Sequence, residues 1–571
     1  MTYQKEKAAS WAASTDDPQV KNEVHALIQQ YDAGNKAPLM DAFYQTLEFG
    51  TGGLRGIMGV GTNRMNKYTV GAAAQGLAAY LIKSFPDQNV NVAIAHDSRL
   101  NSTEFAKVTA AVMSAHGIQV YLFEGLRPTP ELSFAIRHLG CQGGVVITAS
   151  HNPKEYNGFK AYWNDGAQLL EPHDKNVIEE VNSIPSPSAI RFNANPALIS
   201  TIGHEIDEIY LNKASSLVVN RELIHMQRDM KIVYTSLHGS GITLVPALLK
   251  KVGFEQVHIV DEQAIPDGNF PTVIYPNPEE KEAMTLGLSK AKALDADLLL
   301  ATDPDADRVG VGVKNASGEW ILLNGNQTAT LIIYYLLEAW KQAGRLNGKQ
   351  YITKTIVTTY LLDKIAAHYG VKCYNTLTGF KYIAGIIREK EGKEEYIAGG
   401  EESYGYLVGD FVRDKDAVSS CAVIAEIAAY ARSKGMTLYD LLQEIYQQFG
   451  RYEEALISLT KQGASGVEEI KEMMEELRNN PPAELAGEKA IEVRDYKKQV
   501  SVNLITGKQS PIDLPSSNVI QLLTDRGSIV SARPSGTEPK IKFYVGVNGD
   551  DQTSSTNSDR ILAFIETIKK W

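Results

Sequence analysis

The 571-residue sequence predicts three α/β domains with mixed, mostly parallel sheets, followed by a C-terminal α+β domain. Three observations carry this expectation. The length calls for about four domains at roughly 150 residues each. From Val90 onward, short apolar runs alternate with helical patterns in βαβαβ order, which requires a parallel sheet wrapped by crossover helices. Beyond residue 450 the pattern changes, and strand-like runs follow one another before a closing helix.

Residues 1–45 read as a helical extension. Asp17 is placed to cap a helix with Pro18 in its first turn, and Val20, Val24, Leu27, Ile28 and Tyr31 share one face before Gly34 ends it. A first α/β domain is expected over 46–205. Its strands are Val90–Ala95, Ile118–Phe123 and Gly144–Thr148, and its helices Thr103–Ala115 and Pro130–Leu139. The Ser/Pro run Ser183–Ser188 reads as a linker or long surface loop. A second domain, 206–323, has strands at Lys231–Thr235, Gln256–Val260 and Ala296–Thr302, with a helix near Leu244–Val252. A third, 324–450, opens with a helix after Asn326 and includes Tyr351–Thr355 and Val371–Tyr374. The fourth, 451–571, holds strand-like Val519–Leu523, Ser528–Ala532 and Lys540–Gly546, and a helix from Arg560.

Composition narrows the function classes. With 43% hydrophobic and 22% charged residues the chain has the balance of a globular protein. A net charge of -11 repels polyanions, so neither nucleic acid nor an anionic membrane is an expected partner, although local Arg and Lys in a cleft can still bind a small anion. The 3 cysteines, Cys141, Cys373 and Cys421, form no C-x-x-C pair and suggest neither a disulfide framework nor a zinc site. The first residues lack the apolar core of a signal peptide, and the apolar stretch Leu331–Trp340 is too short to span a bilayer. A cytoplasmic location is the expectation. Oligomeric state is not legible.

Several segments are suited to chemistry. Gly143–Pro153 places Ser150, His151 and Asn152 just past a buried strand, where ligand sites of open α/β sheets form. Asn157-Gly158 reads as a further tight turn. Asp303, Asp305 and Asp307 alternate in a loop after the apolar run Leu298–Ala301, and their mutual repulsion calls for a cation; all-oxygen ligands suit Mg²⁺. An EF-hand is excluded, because Arg308 stands in place of the sixth-position glycine and Lys314 in place of the closing glutamate. Arg533-Pro534-Ser535-Gly536-Thr537 offers a guanidinium, hydroxyls and a glycine turn to a phosphate. Two glycine-rich loops, Phe49–Gly56 with Arg55 and Gly399–Gly405 with Glu401 and Ser403, can present amides, an arginine, carboxylates and a hydroxyl.

In this order, Ser150–Pro153, Asp303–Arg308, Glu401–Ser403 and Arg533–Thr537 closely resemble the motifs of the α-D-phosphohexomutase superfamily, over a span from about Phe49 to the C-terminus. The resemblance implies an intramolecular phosphotransferase that interconverts hexose 1-phosphate and hexose 6-phosphate through a bisphosphate, with glucose first and mannose second. It implies a phosphoryl group on Ser150 and Mg²⁺ held by Ser150, Asp303, Asp305 and Asp307, with a trace of sugar 1,6-bisphosphate as activator. His151 and Lys160 become the alternatives for proton transfer, and Arg55 and Arg308 the groups that stabilise transition-state charge. Thr378, Gly379, Glu401 and Ser403 would read sugar hydroxyls, with Lys415 facing substrate. Arg533, Ser535, Gly536 and Thr537 would grip the distal phosphate from a mobile fourth domain. Thr51–Gly56, Asn63–Asn66 and Thr378–Lys381 instead resemble the branch with phosphopentomutases and a glucose-1,6-bisphosphate synthase, which stand as alternatives beside a non-catalytic sugar-phosphate-binding protein.

Overall fold

A computed structural model of the chain describes residues 3–49, 52–461, 463–535, 540–549 and 554–570. It divides into two compact units. The first comprises Met1–Asn324, Phe380–Ala398 and Ser403–Leu438, and the second Gly325–Gly379, Gly399–Glu402 and Tyr439–Trp571. Among the described residues no helix is long and apolar enough to cross a membrane.

The first unit contains two mixed sheets. One has six strands: β1 (Gly53–Ile57), β2 (Asn91–His96), β3 (Gln119–Phe123), β4 (Gly143–Ile147), β5 (Tyr156–Trp163) and β6 (Ile199–Ile202), in the order β1-β5-β4-β2-β3-β6. Pairings from β4 through β2 and β3 to β6 are parallel, whereas β5 runs antiparallel to both β4 and β1. Every residue of β4 is buried, which explains why its sequence is an unbroken apolar run rather than an alternation. The other sheet has five strands: β7 (Lys231–Thr235), β8 (Gln256–Ile259), β9 (Leu298–Thr302), β10 (Val309–Lys314) and β11 (Trp320–Leu323), in the order β11-β10-β9-β7-β8. β9 and β10 are antiparallel neighbours with Thr302 opposite Val309, so the acidic segment between them is a hairpin connection.

The helical extension packs onto the first sheet's core. Asp17 accepts from the Gln19 and Val20 N–H groups and caps the helix Pro18–Asp32, as its sequence predicts, and Gly34 follows at φ 103°. Trp11 meets Phe43 and Tyr68 edge-on at 5.8 and 5.5 Å and joins the same buried cluster as Val92, Ile94 and Val145.

Three sequence expectations need correction. Asn157 and Gly158 form no turn: they lie inside β5, where Asn157 is buried and donates to Leu100 O and Ser102 Oγ. Gly158 is needed because a Cβ there would lie 2.5 Å from Thr148 O and 2.8 Å from Leu54 O, the backbones on either side of it. The expected glycine loop around Arg55 is in part a strand, β1; at Gly53, with φ 150°, a Cβ would fall 1.8 Å from Phe159 O. The last helix begins at Ser554 rather than Arg560. As for the Ser183–Ser188 run, it is a loop within the first unit, since the chain returns to pair β6 with β3.

In the second unit, the helix Gly325–Gln342 precedes a parallel pair of strands, Gln350–Thr355 and Lys372–Thr376. An antiparallel sheet then runs from Arg451–Thr460 through Lys540–Gly549, Ile529–Pro534 and Ile520–Thr524 to Glu488–Asp495. Ile470, Met474, Phe564 and Ile568 from two helices bury against it.

Candidate active site

Both sheets of the first unit end their central strands at the same place. Past β4 the chain enters a turn with Ser150 at φ 53°, and past β9 it enters the acidic hairpin with Ala306 at φ 50°. Ser150 is buried and its Oγ donates to Asp303 Oδ2 at 2.7 Å, while His151 Nδ1 lies 3.1 Å from the same Oγ. Asp303, Asp305 and Asp307 are all buried, and one ligand oxygen from each can be chosen so that all lie within 4.8 Å of one another.

The charges around these acids are shared unevenly. Lys160, on β5, places Nζ 2.7 Å from Asp305 Oδ2 and 3.4 Å from Asp307 Oδ2. Lys415 lies 3.2 Å from Asp307 Oδ2 and 3.1 Å from Asp414 Oδ1. Thr129 Oγ1 also donates to Asp305 Oδ2, at 2.8 Å. Asp305 Oδ1 and Asp307 Oδ1 are buried with no hydrogen-bond partner among the described residues. Buried carboxylate oxygens of this kind are costly unless a cation meets them, so the donor set fits a hard, oxygen-seeking metal ion.

Burial, reinforced by Asp305 and Asp307, holds the Asp303 carboxyl well above the usual carboxylate range. Burial would raise Asp307 too, but Lys415, Lys160 and Arg308 outweigh it and keep that group ionised. For Lys160 burial is likewise overcome, here by Asp305 and Asp307, and the ammonium is held above its ordinary value. His151 is driven well below the ordinary imidazole value by burial, then by Arg308 and Arg55.

The backbone of the acidic loop is clasped at three successive carbonyls. Ser240 N–H and Oγ both donate to Pro304 O at 2.8 Å, Thr129 N–H to Asp305 O at 2.9 Å, and Ala417 N–H to Ala306 O at 3.2 Å. Of the two arginines, Arg55 is exposed on β1 and donates to Asn152 Oδ1 at 3.2 Å, and Arg308 pairs with Glu279 at 2.8 Å.

The second unit gathers a different set. Gly379 N–H donates to the buried Glu401 at 2.8 Å, and the buried Thr378 Oγ1 has no hydrogen-bond partner among the described residues. Glu402 Oε2 accepts from Thr355 and Thr358 at 3.1 and 3.2 Å, and burial followed by repulsion from Glu401 pushes Glu402 up to about 7. Tyr544 is pushed up to about 12 by burial and then by Glu402, with Arg533 opposing. Ser535 N–H donates to Lys540 O at 2.7 Å. Gly536 and Thr537 lie outside the described residues. Ser403 is half-buried in a stretch assigned to the first unit.

Residues 46–188, 208–318 and 324–449 match, in turn, alpha/beta/alpha domains I, II and III of phosphoglucomutase/phosphomannomutase. The chain belongs to the phosphoglucomutase/phosphomannomutase family. It is 38% identical over 525 residues to the phosphoglucomutase of Staphylococcus haemolyticus (strain JCSC1435), covering 91% of this chain and 94% of that one. To the phosphoglucomutase of Staphylococcus aureus (strain MRSA252) it is 39% identical over 544 residues, 95% of each chain. The open form of parafusin, a Paramecium phosphoglucomutase, superposes with a TM-score of 0.68 at 17% identity over 92% of this chain and 96% of that one. A phosphoglucomutase/phosphomannomutase family protein from Burkholderia thailandensis gives a TM-score of 0.64 at 20% identity, over 91% and 96%. These structures share the fold that the sequence predicts for a phosphoglucomutase/phosphomannomutase chain.

Two contributors of this family member escape a reading of its motifs. One is Thr129, placed between Pro128 and Pro130. The other is Arg99, whose buried guanidinium donates to Ser150 O at 2.6 Å, Pro153 O at 2.8 Å, Tyr156 O at 3.1 Å and also Asn152 O. The one available signal was polar sequence, Asp97-Ser98-Arg99, directly after a buried strand. Arg99 pairs with the buried Asp97 at 3.4 Å. Arg99→Met removes the buried cation beside that carboxylate and a charged donor from four carbonyls, and a loss of about 3–5 kcal/mol in denaturant unfolding is expected.

Proton linkage gives a second stability prediction. Glu402 and Glu454 are both raised from 4.5 to about 7, mainly by burial. Between those values the folded chain binds protons that the unfolded chain has lost, so stability falls as pH rises from about 4.5 to 7. Thermal melts across this window should show the fall, and Glu402→Gln should remove part of it.

Proposed function

We propose that this chain interconverts hexose 1-phosphate and hexose 6-phosphate, glucose first and mannose also, through a phosphoryl group on Ser150 and a sugar 1,6-bisphosphate. The observation that carries the reading is Ser150 Oγ facing Asp303 at 2.7 Å beside two further buried carboxylates. Phosphoryl transfer needs little beyond positioning and charge neutralisation, and this arrangement is suited to both. In the first half-reaction the Ser150 O–P bond breaks as a bond forms to the free hydroxyl of the sugar monophosphate. The hydroxyl proton passes to a base and the serine oxygen regains one. In the second half-reaction the reoriented bisphosphate returns its other phosphoryl group to Ser150, with the proton movements reversed.

His151, with Nδ1 3.1 Å from Ser150 Oγ, and Lys160, with Nζ 2.7 Å from Asp305 Oδ2, are the alternatives for proton transfer. Ser150, Asp303, Asp305 and Asp307 would hold Mg²⁺, which when bound supplies positive charge to the phosphoryl oxygens. Arg55 and Arg308 complement that charge. Thr378, Gly379, Glu401 and Ser403 read sugar hydroxyls, Lys415 faces the substrate, and Arg533, Ser535, Gly536 and Thr537 take the phosphate that is not reacting. A helical extension over 1–45 precedes domains at 46–205, 206–323, 324–450 and 451–571, and the setting is cytoplasmic.

The test is turnover of glucose, mannose and ribose 1-phosphates with Mg²⁺ and a trace of glucose 1,6-bisphosphate. Conversion of the two hexose phosphates ahead of ribose 1-phosphate is expected. Preference for ribose 1-phosphate would make it a phosphopentomutase, and net bisphosphate formation from a separate donor a bisphosphate synthase. No turnover of any of the three would leave only a binding protein.

A further inference from the structure

We infer that Thr129 is a positioning residue for Asp305, fixing which carboxylate oxygen that side chain offers to a cation; the inference rests on the proposed cation site. Thr129 is fully buried and touches Asp305 twice, through its N–H to the carbonyl and its hydroxyl to Oδ2. Its neighbours explain why the backbone contact forms. Pro128 and Pro130 carry no N–H and have fixed φ, so Thr129 supplies the one amide donor in that tripeptide, on a stiff corner.

Thr129 is the first residue of the helix Thr129–His138, whose N-cap position is held by Pro128. The Thr129 hydroxyl is directed across to the acidic loop. With Lys160 Nζ also on it, Asp305 Oδ2 receives two donors, at 2.8 and 2.7 Å. Rotation of the carboxylate would break both contacts. Oδ1 is therefore the oxygen left over, and among the described residues it has no hydrogen-bond partner. Hydrogen bonds behind a metal ligand set its orientation, and their loss typically weakens metal affinity 10–100-fold.

The experiment uses Mn²⁺ as the probe on the full-length chain, with free ion measured by electron paramagnetic resonance. Thr129→Val keeps the side-chain shape and removes the donor, whereas Thr129→Ser keeps the donor. Weakening of Mn²⁺ binding by about tenfold in the valine variant is expected, with the serine variant close to wild type. With Mn²⁺ as the activating ion, half-activation should move to higher concentration by the same factor while saturating turnover stays near wild type. Wild-type affinity in Thr129→Val would overturn the inference and leave the cation site intact. A serine variant that binds as weakly as the valine variant would also overturn it, since the hydroxyl is the group assigned. Failure of the wild type to bind Mn²⁺ at all would bring down the cation site and this inference together.

Discussion

Ser150→Ala is expected to lower mutase turnover by about 10⁴-fold or more, because the proposed mechanism loses the atom that would carry the phosphoryl group and no neighbour can take its place. His151 lies beside the vacated position, but its nitrogen contacts Ser150 Oγ itself. The fold should survive. The turn at Ser150 is held through main-chain groups: Arg99 donates to its carbonyl, and its own N–H donates to Thr148 Oγ1 at 2.8 Å. Alanine keeps both contacts, so unfolding midpoints should stay close to wild type. Intact-mass measurement of active wild type should show one phosphoryl group mapping to Ser150, absent from the variant. Undiminished turnover by the alanine variant would rule out the serine as carrier.

The second large effect is expected at the acidic loop. Asp305→Asn removes one formal charge from three converging carboxylates and replaces an acceptor-only group with one that can also donate. Turnover should fall by about 10²-fold, in keeping with the several kcal/mol that a bound metal ion contributes to transition-state charge. Exhaustive chelation of the wild type should silence it, with activity returning on addition of Mg²⁺. An enzyme indifferent to chelation would show that Lys160, Lys415 and the arginines neutralise the loop unaided.

The buried strands were legible because an apolar run of Val, Ile, Leu and Ala between turn residues has few other uses, as with Gly143–Ile147 and Leu298–Thr302. The acidic loop was legible because three carboxylates at alternate positions demand an explanation within the sequence itself. Strand β5 was not, since Tyr156–Trp163 opens with Asn-Gly, a pair that favours turns in isolation. What overrode that preference is the close passage of the flanking backbones at Gly158, a tertiary fact with no local trace. Arg99 and Thr129 were hidden for a related reason. Each acts on a loop distant in sequence, 51 residues on to Ser150 and 176 on to Asp305, and nothing near either residue marks its partner. The division of the chain was equally hidden. Glu401 and Ser403 stand two positions apart in one motif, yet they fall in different compact units.

The triple clasp on the acidic loop bears on how the protein is made. Donors to Pro304, Asp305 and Ala306 come from residues 240, 129 and 417, so two are already synthesised when the loop leaves the ribosome and the third follows more than a hundred residues later. Lys415, which neutralises Asp307, arrives with that last donor. A nascent chain that has reached residue 324 thus carries all three carboxylates with one clasp and one ammonium still to come. The acidic loop is encoded before one of its three clasps and one of its two neighbouring ammonium groups exist.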